Sequence, residues 1–286
     1  MDEWLEAVPD VPEPPPLRQG FLTRSEVRDT PVRDPGWIRA LRGDLQMHTT
    51  HSDGKNTLRE MAEAVAARGH EYVAVTDHSK GLPIARGMDE ERLALLGQEI
   101  AEVNRELEAA GSRLHLLRSI EMNLSPEGEG DMEPEALHRL DIVLGAFHSK
   151  LRETEDQTER YLAGVRNPHV HVLAHPRGRM YGRRLGLSAD WPRVFAEVAA
   201  LDKAVEVDAN PNRQDLDVGL LEVARESGCR ISIGTDAHST GELEFMEFGV
   251  AAVIRAQIPK ERILNFLPLE DLLAWADGVR SAATGP

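Results

Sequence analysis

Cysteine, positive charge and long apolar runs are scarce in this sequence, and each scarcity excludes a class of protein. The single cysteine, Cys229, excludes a disulfide framework and predicts a buried core thiol in a reducing cytoplasm. Acidic residues outnumber basic ones by 49 to 33, and the net charge of −16 disfavours non-specific binding to nucleic acid. No apolar run is long enough to span a bilayer, and the acidic N-terminus lacks a signal-peptide pattern. We therefore expect a cytoplasmic protein that does not act at a membrane.

The first 42 residues differ in composition from the rest of the chain. Prolines crowd the stretch from Pro9 to Pro16, and such runs favour extended polyproline backbone. We predict that residues 1–42 form a Pro-rich N-terminal extension, either a linker or an arm laid over the domain surface. Residues 43–286 are predicted to form one domain.

From residue 43 onward, short apolar runs alternate with segments of helical spacing. Residues 57–68 illustrate the helical type, with Asn56 or Thr57 as a candidate N-cap and Gly69 as a stop. Seven such repeats predict a parallel sheet with crossover helices. The sequence has no Gly-rich phosphate loop, and side chains that can bind metals follow almost every strand. Because a closed barrel gathers all its strand ends in one ring, we predict an α/β barrel of seven strands.

The residues that follow these strands are imidazoles and carboxylates. They are His48, Asp53, His78, Glu121, His148, His175, Asp236 and His238. Imidazole and carboxylate without thiolate favour Zn, Mn or Fe. The set exceeds the needs of one ion, so two or three divalent metal ions are predicted, with one carboxylate bridging. A multinuclear site lowers the pKa of bound water and holds phosphoryl oxygens, which predicts a metal-dependent phosphoesterase.

Basic side chains lie close to two of these histidines. Lys80 follows His78, and four arginines follow His175, namely Arg177, Arg179, Arg183 and Arg184. Guanidinium groups match the oxygens of phosphate, so all five residues are predicted to bind the substrate phosphate. The alternative is a solvated loop whose arginines pair with nearby acids.

The motifs, taken in order, resemble the PHP (polymerase and histidinol phosphatase) domain. They are Asp44-Leu-Gln-Met-His48, Ser52-Asp53-Gly54, Thr76-Asp-His78, Ile120-Glu121, Gly145-Ala-Phe-His148, Ala174-His-Pro176 and Thr235-Asp-Ala-His238. The similarity is greatest to the PHP domain at the C-terminus of bacterial family X DNA polymerases, through Asp77-His-Ser-Lys80, His175-Pro-Arg-Gly-Arg179 and Asp208-Ala-Asn-Pro211. Only the Pro-rich segment precedes the barrel, so a stand-alone relative is expected. The resemblance implies a distorted, TIM-like (βα)7 barrel and a trinuclear metal site.

The resemblance also implies which residues bind each ion. One ion would take Gln46, His48, Glu121 and Asp236. A second would share Glu121 and add His148 and His175, and a third would take Asp53, His78 and His238. Asp236 and His238 are the predicted catalytic groups, either of which could take a proton when a metal-activated hydroxide attacks phosphorus.

The first strand departs from the family pattern. The family has His-x-His, whereas this chain has Gln46-Met47-His48. An amide oxygen is a weaker donor than imidazole for a transition metal. The first site would therefore be loosely occupied or would favour Mn²⁺, and Gln46 is an uncertain ligand on the sequence alone.

Three functions are compatible with these observations. The first is hydrolysis of nucleotides or nucleic-acid ends, of the 3′-5′ exonuclease or 3′-phosphatase type, which the local motifs favour. The second is a small-molecule phosphomonoesterase such as a histidinol-phosphate phosphatase, which the acidic charge favours. The third is a catalytically silent structural metal-binding module, which the Gln46 departure favours. The expected partner is a phosphorylated small molecule, a nucleotide or a single-stranded nucleic-acid end, and no obligate protein partner is evident.

Overall fold

Seven parallel strands form one sheet in the computed structural model of this chain, which describes residues 14–32, 34 and 36–284. The strands are β1 (Gly43–Met47), β2 (Tyr72–Val75), β3 (His115–Asn123), β4 (Ile142–Ala146), β5 (Val172–Leu173), β6 (Ala204–Asp208) and β7 (Arg230–Gly234). Their order in the sheet is their order in the sequence, and every neighbouring pair is parallel. This is the strand order that repeated β-α units produce when each helix returns the chain beside the preceding strand.

The first strand meets the segment that follows the last one. The amide of His48 donates to the carbonyl of Ala237 at 2.8 Å, and the amide of Asp236 donates to the carbonyl of Gln46 at 3.1 Å. These bonds bring the two edges of the sheet together and confirm the predicted seven-stranded α/β barrel. The barrel is distorted, because the register of β1 shifts between Asp44 and Met47 and β5 has only two residues.

Helices cover the outside of the barrel. In the described residues they are α1 (Arg24–Asp29), α2 (Leu58–Ala67), α3 (Glu90–Ala109), α4 (Pro134–Leu137), α5 (Thr158–Arg166), α6 (Trp191–Ala200), α7 (Val218–Ser227), α8 (Met246–Arg255) and α9 (Leu269–Thr284). The predicted N-cap of α2 is confirmed, since Thr57 and Glu60 form a capping box. Among the described residues, no helix combines the length and apolar character needed to cross a membrane.

Two apolar cores lie on opposite sides of the sheet. The outer core joins strands to helices and contains the fully buried Cys229, as predicted. The inner core fills the barrel at the N-terminal ends of the strands, where Leu117 and Leu144 pack with Leu272 and Trp275 of α9. Because apolar side chains fill much of this end of the interior, the space for a polar site lies at the opposite end, where the strands finish.

The N-terminal segment contacts the barrel over part of its length. The side-chain amide of Gln214 donates to the carbonyl of Leu22 at 2.9 Å and accepts from its amide at 2.7 Å. Phe21 packs edge-on against Tyr181 at a centroid distance of 5.1 Å, and Val27 is buried. Residues 1–13, with the first two prolines of the crowded stretch, lie outside the described residues. The division of the chain after residue 42 remains a prediction.

Candidate metal centre

The alternation of side chains along the strands places the predicted metal-binding residues inside the barrel, at the C-terminal ends of the strands. Leu117 on β3 belongs to the inner core, and Glu121 lies four residues later on the same face. Leu144 on β4 precedes His148 by the same interval. Both β3 and β4 therefore run from the apolar inner core to a residue that can bind a metal.

The buried carboxylate of Glu121 lies at the centre of the cluster. Its Oε1 atom lies 2.6 Å from Nε2 of His175 and 2.9 Å from Nε2 of His148. Its Oε2 atom lies 3.2 Å from Nδ1 of His78 and 3.4 Å from Nε2 of His48. Burial alone would raise the pKa of Glu121, but the surrounding imidazoles hold it well below its usual value. Glu121 is therefore an ionised group shared by histidines from four strands, as a bridging ligand must be.

A second carboxylate, Asp53, gathers histidines on the other side of the cluster. Its Oδ1 atom lies 3.3 Å from Nε2 of His238, 3.6 Å from Nε2 of His78 and 4.0 Å from Nδ1 of His48. Burial opposes ionisation, yet the hydrogen bond and charge of His238, with the charges of the other two histidines, lower the pKa of Asp53 to about 2. Asp53 is thus ionised and available as a ligand.

The predicted ligands fall into three overlapping groups. Within each group, the candidate ligand atoms lie no more than 4.8 Å apart. The groups are His48, Asp53, His78 and His238; His78, Glu121 and His148; and His48, Glu121 and Asp236. His175 joins them through its contact with Glu121. All eight residues that end the strands in the sequence analysis therefore meet at one site.

The chemistry of these residues fits divalent cations. Nδ1 of His48 is buried and has no hydrogen-bond partner, and Nδ1 of His78 and Nε2 of His148 are buried with only the Glu121 carboxylate close to them. Buried polar atoms are rarely left unpaired, and an imidazole nitrogen can satisfy its lone pair by binding a metal. Imidazole and carboxylate together suit zinc, manganese and iron.

Gln46 lies beside Glu121. It occupies the position of the first histidine in the His-x-His pattern of the family. Its Nε2 atom donates to Oε2 of Glu121 at 3.2 Å, and its Oε1 atom is buried without a partner. An amide carries a donor and an acceptor at almost identical positions, so the same side chain could turn its oxygen toward a shared ion. Its role as a ligand remains a prediction.

Two of the predicted ligands have left-handed backbone conformations. The φ angle is 24° at His175 and 51° at Asp236. Conformations of this type cost on the order of 1–3 kcal/mol for residues other than glycine and persist only where neighbours hold them. The amide of His175 donates to Oε2 of Glu206 at 2.8 Å, and the amide of Asp236 donates to the carbonyl of Gln46. Glu206 therefore positions a ligand, which the sequence analysis did not predict.

An arginine and further carboxylates lie next to the cluster. Nε of Arg213 lies 3.3 Å from Oδ2 of Asp236 and 3.4 Å from Oδ2 of Asp208. Burial raises the pKa of both Asp208 and Glu206 well above the ordinary range. The stretch Val205-Glu206-Val207-Asp208 alternates apolar and acidic residues, and the valines pack in the outer core. That alternation was the available signal that the two acidic side chains point into the barrel.

The loop that carries Asp53 is held by Asp77. Oδ1 of Asp77 accepts from the amides of Thr49 and Ser52 at 2.9 and 3.0 Å, and Oδ2 accepts from the Thr49 hydroxyl at 2.7 Å. A Cβ atom at Gly54 would lie 2.7 Å from the backbone of Thr49, so only glycine fits there. This packing explains the small polar residues that follow β1.

The predicted phosphate-binding residues separate into two sets. Arg183 and Arg184 lie in the loop after β5, and neither pairs with a carboxylate of the described residues. Lys80 pairs with Glu90 at 2.7 Å, and Arg177 pairs with Asp217 at 2.8 Å.

Arg179 has contacts within the fold that the sequence analysis did not predict. Its side chain is only 3% exposed, and its NH1 atom lies 2.6 Å from Oδ2 of Asp217. Its guanidinium also lies 3.7 Å from the ring centroid of Phe21 and donates to the carbonyl of Gln19. Arg179 thus attaches the N-terminal segment to the barrel, which motif spacing alone could not reveal, and its role in phosphate binding stays a prediction.

Comparisons with known proteins support the resemblance of this chain to the PHP domain family. The profile of the PHP domain family matches residues 44–185, a segment that runs from β1 past β5. The DNA polymerase/3′-5′ exonuclease PolX of Bacillus subtilis (strain 168) is 37% identical over 236 residues, which are 82% of this chain and 41% of that protein. This chain therefore spans less than half the length of the Bacillus protein.

Other relatives are similar to this chain over most of their own length. A probable phosphatase of Acetivibrio thermocellus is 28% identical over 235 residues, covering 78% of this chain and 90% of the relative. A probable phosphatase of Thermoanaerobacter sp. (strain X514) is 23% identical over 229 residues, covering 78% and 89%. The crystal structure of histidinol phosphate phosphatase from Lactococcus lactis, complexed with zinc, L-histidinol and phosphate, has a similar fold. The TM-score is 0.54 at 15% identity, over 77% of this chain and 95% of the other.

Proposed function

Because this chain belongs to the PHP domain family, we propose that it is a metal-dependent phosphoesterase that hydrolyses phosphate esters of nucleotides or of nucleic-acid ends. The observation that carries the proposal is the convergence of His48, His78, His148 and His175 on the single buried carboxylate of Glu121. Four protonated histidines this close together would repel one another. Neutral histidines around a carboxylate can instead bind divalent cations. The relative from Bacillus, named as a polymerase and 3′-5′ exonuclease, supports a nucleic-acid end as substrate.

Each residue of the centre has a role in this proposal. Two or three divalent cations would supply an activated water and positive charge beside the phosphoryl oxygens. Glu121 and the histidines would hold the cations, and Glu206 would keep His175 in place. Asp236 or His238 would accept the proton released when water is consumed. Arg213, 3.3 Å from Asp236, would fix the orientation of that carboxylate.

A small-molecule phosphomonoesterase is the second candidate. The relatives that match this chain over about nine tenths of their own length are named as probable phosphatases. The net charge of −16 also disfavours a long polyanion away from the local arginines. Histidinol phosphate is the natural first test of this alternative, since a histidinol phosphate phosphatase has the same fold.

One assay separates the candidates. The protein would be incubated with Mn²⁺ or Zn²⁺ and offered a single-stranded oligonucleotide, the same oligonucleotide bearing a 3′-phosphate, and histidinol phosphate. The proposal expects hydrolysis of at least one oligonucleotide and its loss after treatment with EDTA. Faster hydrolysis of histidinol phosphate alone would favour the second candidate. Metal-dependent thermal stabilisation without hydrolysis of any ester would support a structural metal-binding module.

We also propose that the protein acts in the cytoplasm without an obligate protein partner. Its one cysteine is buried, and burial raises the pKa of the Cys229 thiol to about 12, so the thiol is unreactive. A chain that needs no disulfide suits a reducing compartment. Fractionation of the native protein would test this location.

A further inference from the structure

A cleft of about 520 Å³ opens between the loops that follow β4 and β5. Arg152, four residues after His148, lies on one side, and Arg183 and Arg184 lie on the other. Because both loops leave the carboxyl ends of their strands, the cleft and the metal centre lie on the same face of the barrel. We call this feature the arginine cleft and define it by Arg152, Arg183 and Arg184.

The arginines that define the cleft form no ion pairs with the described residues, although one acidic side chain, Glu153, also lines the cleft. Among the described residues, no carboxylate lies within ion-pairing distance of Arg152, Arg183 or Arg184. Nε of Arg184 is buried without a hydrogen-bond partner. Arg177, which also lines the cleft, differs because Asp217 neutralises it. Three arginines that form no ion pair around one cleft can donate to the oxygens of a bound anion.

The arginine cleft and the metal centre also share basic neighbours on this face of the barrel. NH1 of Arg152 contacts the carbonyl of Arg183 at 3.5 Å. Burial and the nearby charges of Arg213 and Arg152 lower the pKa of Arg184, whereas the charge of Asp215 opposes this shift. Arg213 in turn lies 3.3 Å from Asp236. Basic side chains therefore lie on the face of the barrel that carries the metal centre, although the whole chain carries a net charge of −16.

We propose that the arginine cleft binds the phosphodiester backbone of a single-stranded nucleic acid next to the phosphate that is hydrolysed. This inference rests on the proposed function and specifies its substrate class. A monoester has one phosphate, which the metal centre itself would hold, so it leaves the arginine cleft without a ligand. A strand offers additional phosphates at successive positions, and guanidinium groups bind phosphate oxygens in pairs. The cleft would also explain how an acidic protein binds a polyanion at one place only.

Binding can be tested with the full chain and a fluorescein-labelled oligothymidylate of roughly ten nucleotides, within the range that single-strand sites cover. Arg152→Glu and Arg183→Glu are suitable variants because both side chains are exposed. Fluorescence anisotropy should show at least tenfold weaker binding for each variant. Arg183→Ala should lower the slope of log affinity against log salt by about 0.7, the value for one lost phosphate contact on a single strand. Arg183→Lys, which keeps the charge, should retain most of the affinity.

Arg105→Glu on α3 is the matched control, since Arg105 is exposed and lies outside the cleft. It changes the net charge by the same amount and should bind the oligothymidylate as the wild type does. Binding by the cleft variants that equals binding by Arg105→Glu would overturn the inference, even if the wild type hydrolyses oligonucleotides. Arginine-dependent binding without hydrolysis of any ester would instead overturn the proposed function and leave the cleft assignment standing.

Discussion

Nε2 of His175 lies 2.6 Å from Oε1 of Glu121, although 54 residues separate the two in sequence. The contact joins the end of β5 to β3 across the barrel interior, and both side chains are almost completely buried. An isolated buried carboxylate would be costly, so the close approach of histidines is what makes this position acceptable. The same contact makes Glu121 the residue on which the metal centre depends most.

Glu121→Gln removes the shared charge while keeping the shape of the side chain. We expect the variant to retain fewer divalent ions and to hydrolyse phosphate esters at least about 100-fold more slowly, the upper range for loss of even an outer-shell partner of a metal site. Metal content by elemental analysis and initial rates with Mn²⁺ would measure both effects. Glu222→Gln, at an exposed position on α7, is the matched control. Wild-type metal content and activity in the Glu121 variant would refute this role.

Gln46→His tests the departure on the first strand. The Gln46 side chain is buried next to Glu121 with one unpaired oxygen, so an imidazole there should add a stronger ligand. We expect the affinity for zinc, measured against a competing chelator, to rise roughly tenfold. This is the lower end of the change in metal affinity that follows mutation of a residue supporting a metal site. Gln46→Leu, which has similar volume and no ligand atom, should retain less zinc than the wild type. Equal retention by all three proteins would mean that position 46 does not bind metal.

Arg179 is predicted to stabilise the fold rather than bind substrate. Arg179→Met should lower the free energy of unfolding by about 1–3 kcal/mol, because the buried Asp217 contact and the donor to Gln19 are lost. The KM for an oligonucleotide should stay near the wild-type value. Arg166→Met, which breaks an exposed pair with Glu197, should cost no more than about 1 kcal/mol. A raised KM with unchanged stability would restore Arg179 to the phosphate-binding set.

His171 is predicted to make stability depend on pH. Burial, with the charges of Arg280 and Lys203, lowers its pKa from 6.5 to about 3, and its Nδ1 accepts from the amide of Val143 at 3.1 Å. Between these pKa values the unfolded chain binds a proton that the folded chain does not. Stability is therefore lost as pH falls below 6.5, by about 1.4 kcal/mol per pH unit.

His171→Asn removes this proton uptake while keeping an acceptor for Val143. The variant should be less stable than the wild type at pH 7, because the ring no longer packs. The difference in unfolding free energy should shrink by about 1 kcal/mol between pH 6.5 and 5.5, since groups common to both proteins cancel. Urea unfolding at several pH values would measure it. A difference that stays constant with pH would show that His171 is already protonated in the fold.

Much of the fold and the ligand set could be predicted because their signals are local. The capping box at Thr57 and the apolar runs before His148 and Glu121 each specify one element or one strand end, and alternation of strands and helices specifies the sheet. The left-handed backbone at His175 and its support by Glu206 could not be predicted in the same way. They depend on how β5 and β6 approach each other, which is a property of the closed barrel.

The burial of Arg179 could not be predicted from the sequence for a similar reason. In sequence, Arg179 and Arg183 are equivalent members of one arginine-rich loop. In the fold, the N-terminal segment covers Arg179 and Asp217 binds it, whereas Arg183 remains exposed. A loop can turn neighbouring side chains toward a core and toward solvent, and residue type alone does not distinguish the two.

The most direct test is the number of divalent metal ions per chain, measured by elemental analysis of protein purified without chelator. Overlapping ligand groups around Glu121, Asp53 and Asp236 predict at least two ions of zinc, manganese or iron per chain, lost together when Glu121 is replaced by Gln. A protein that contains less than one ion per chain, and gains none when these metals are supplied, would contradict the account.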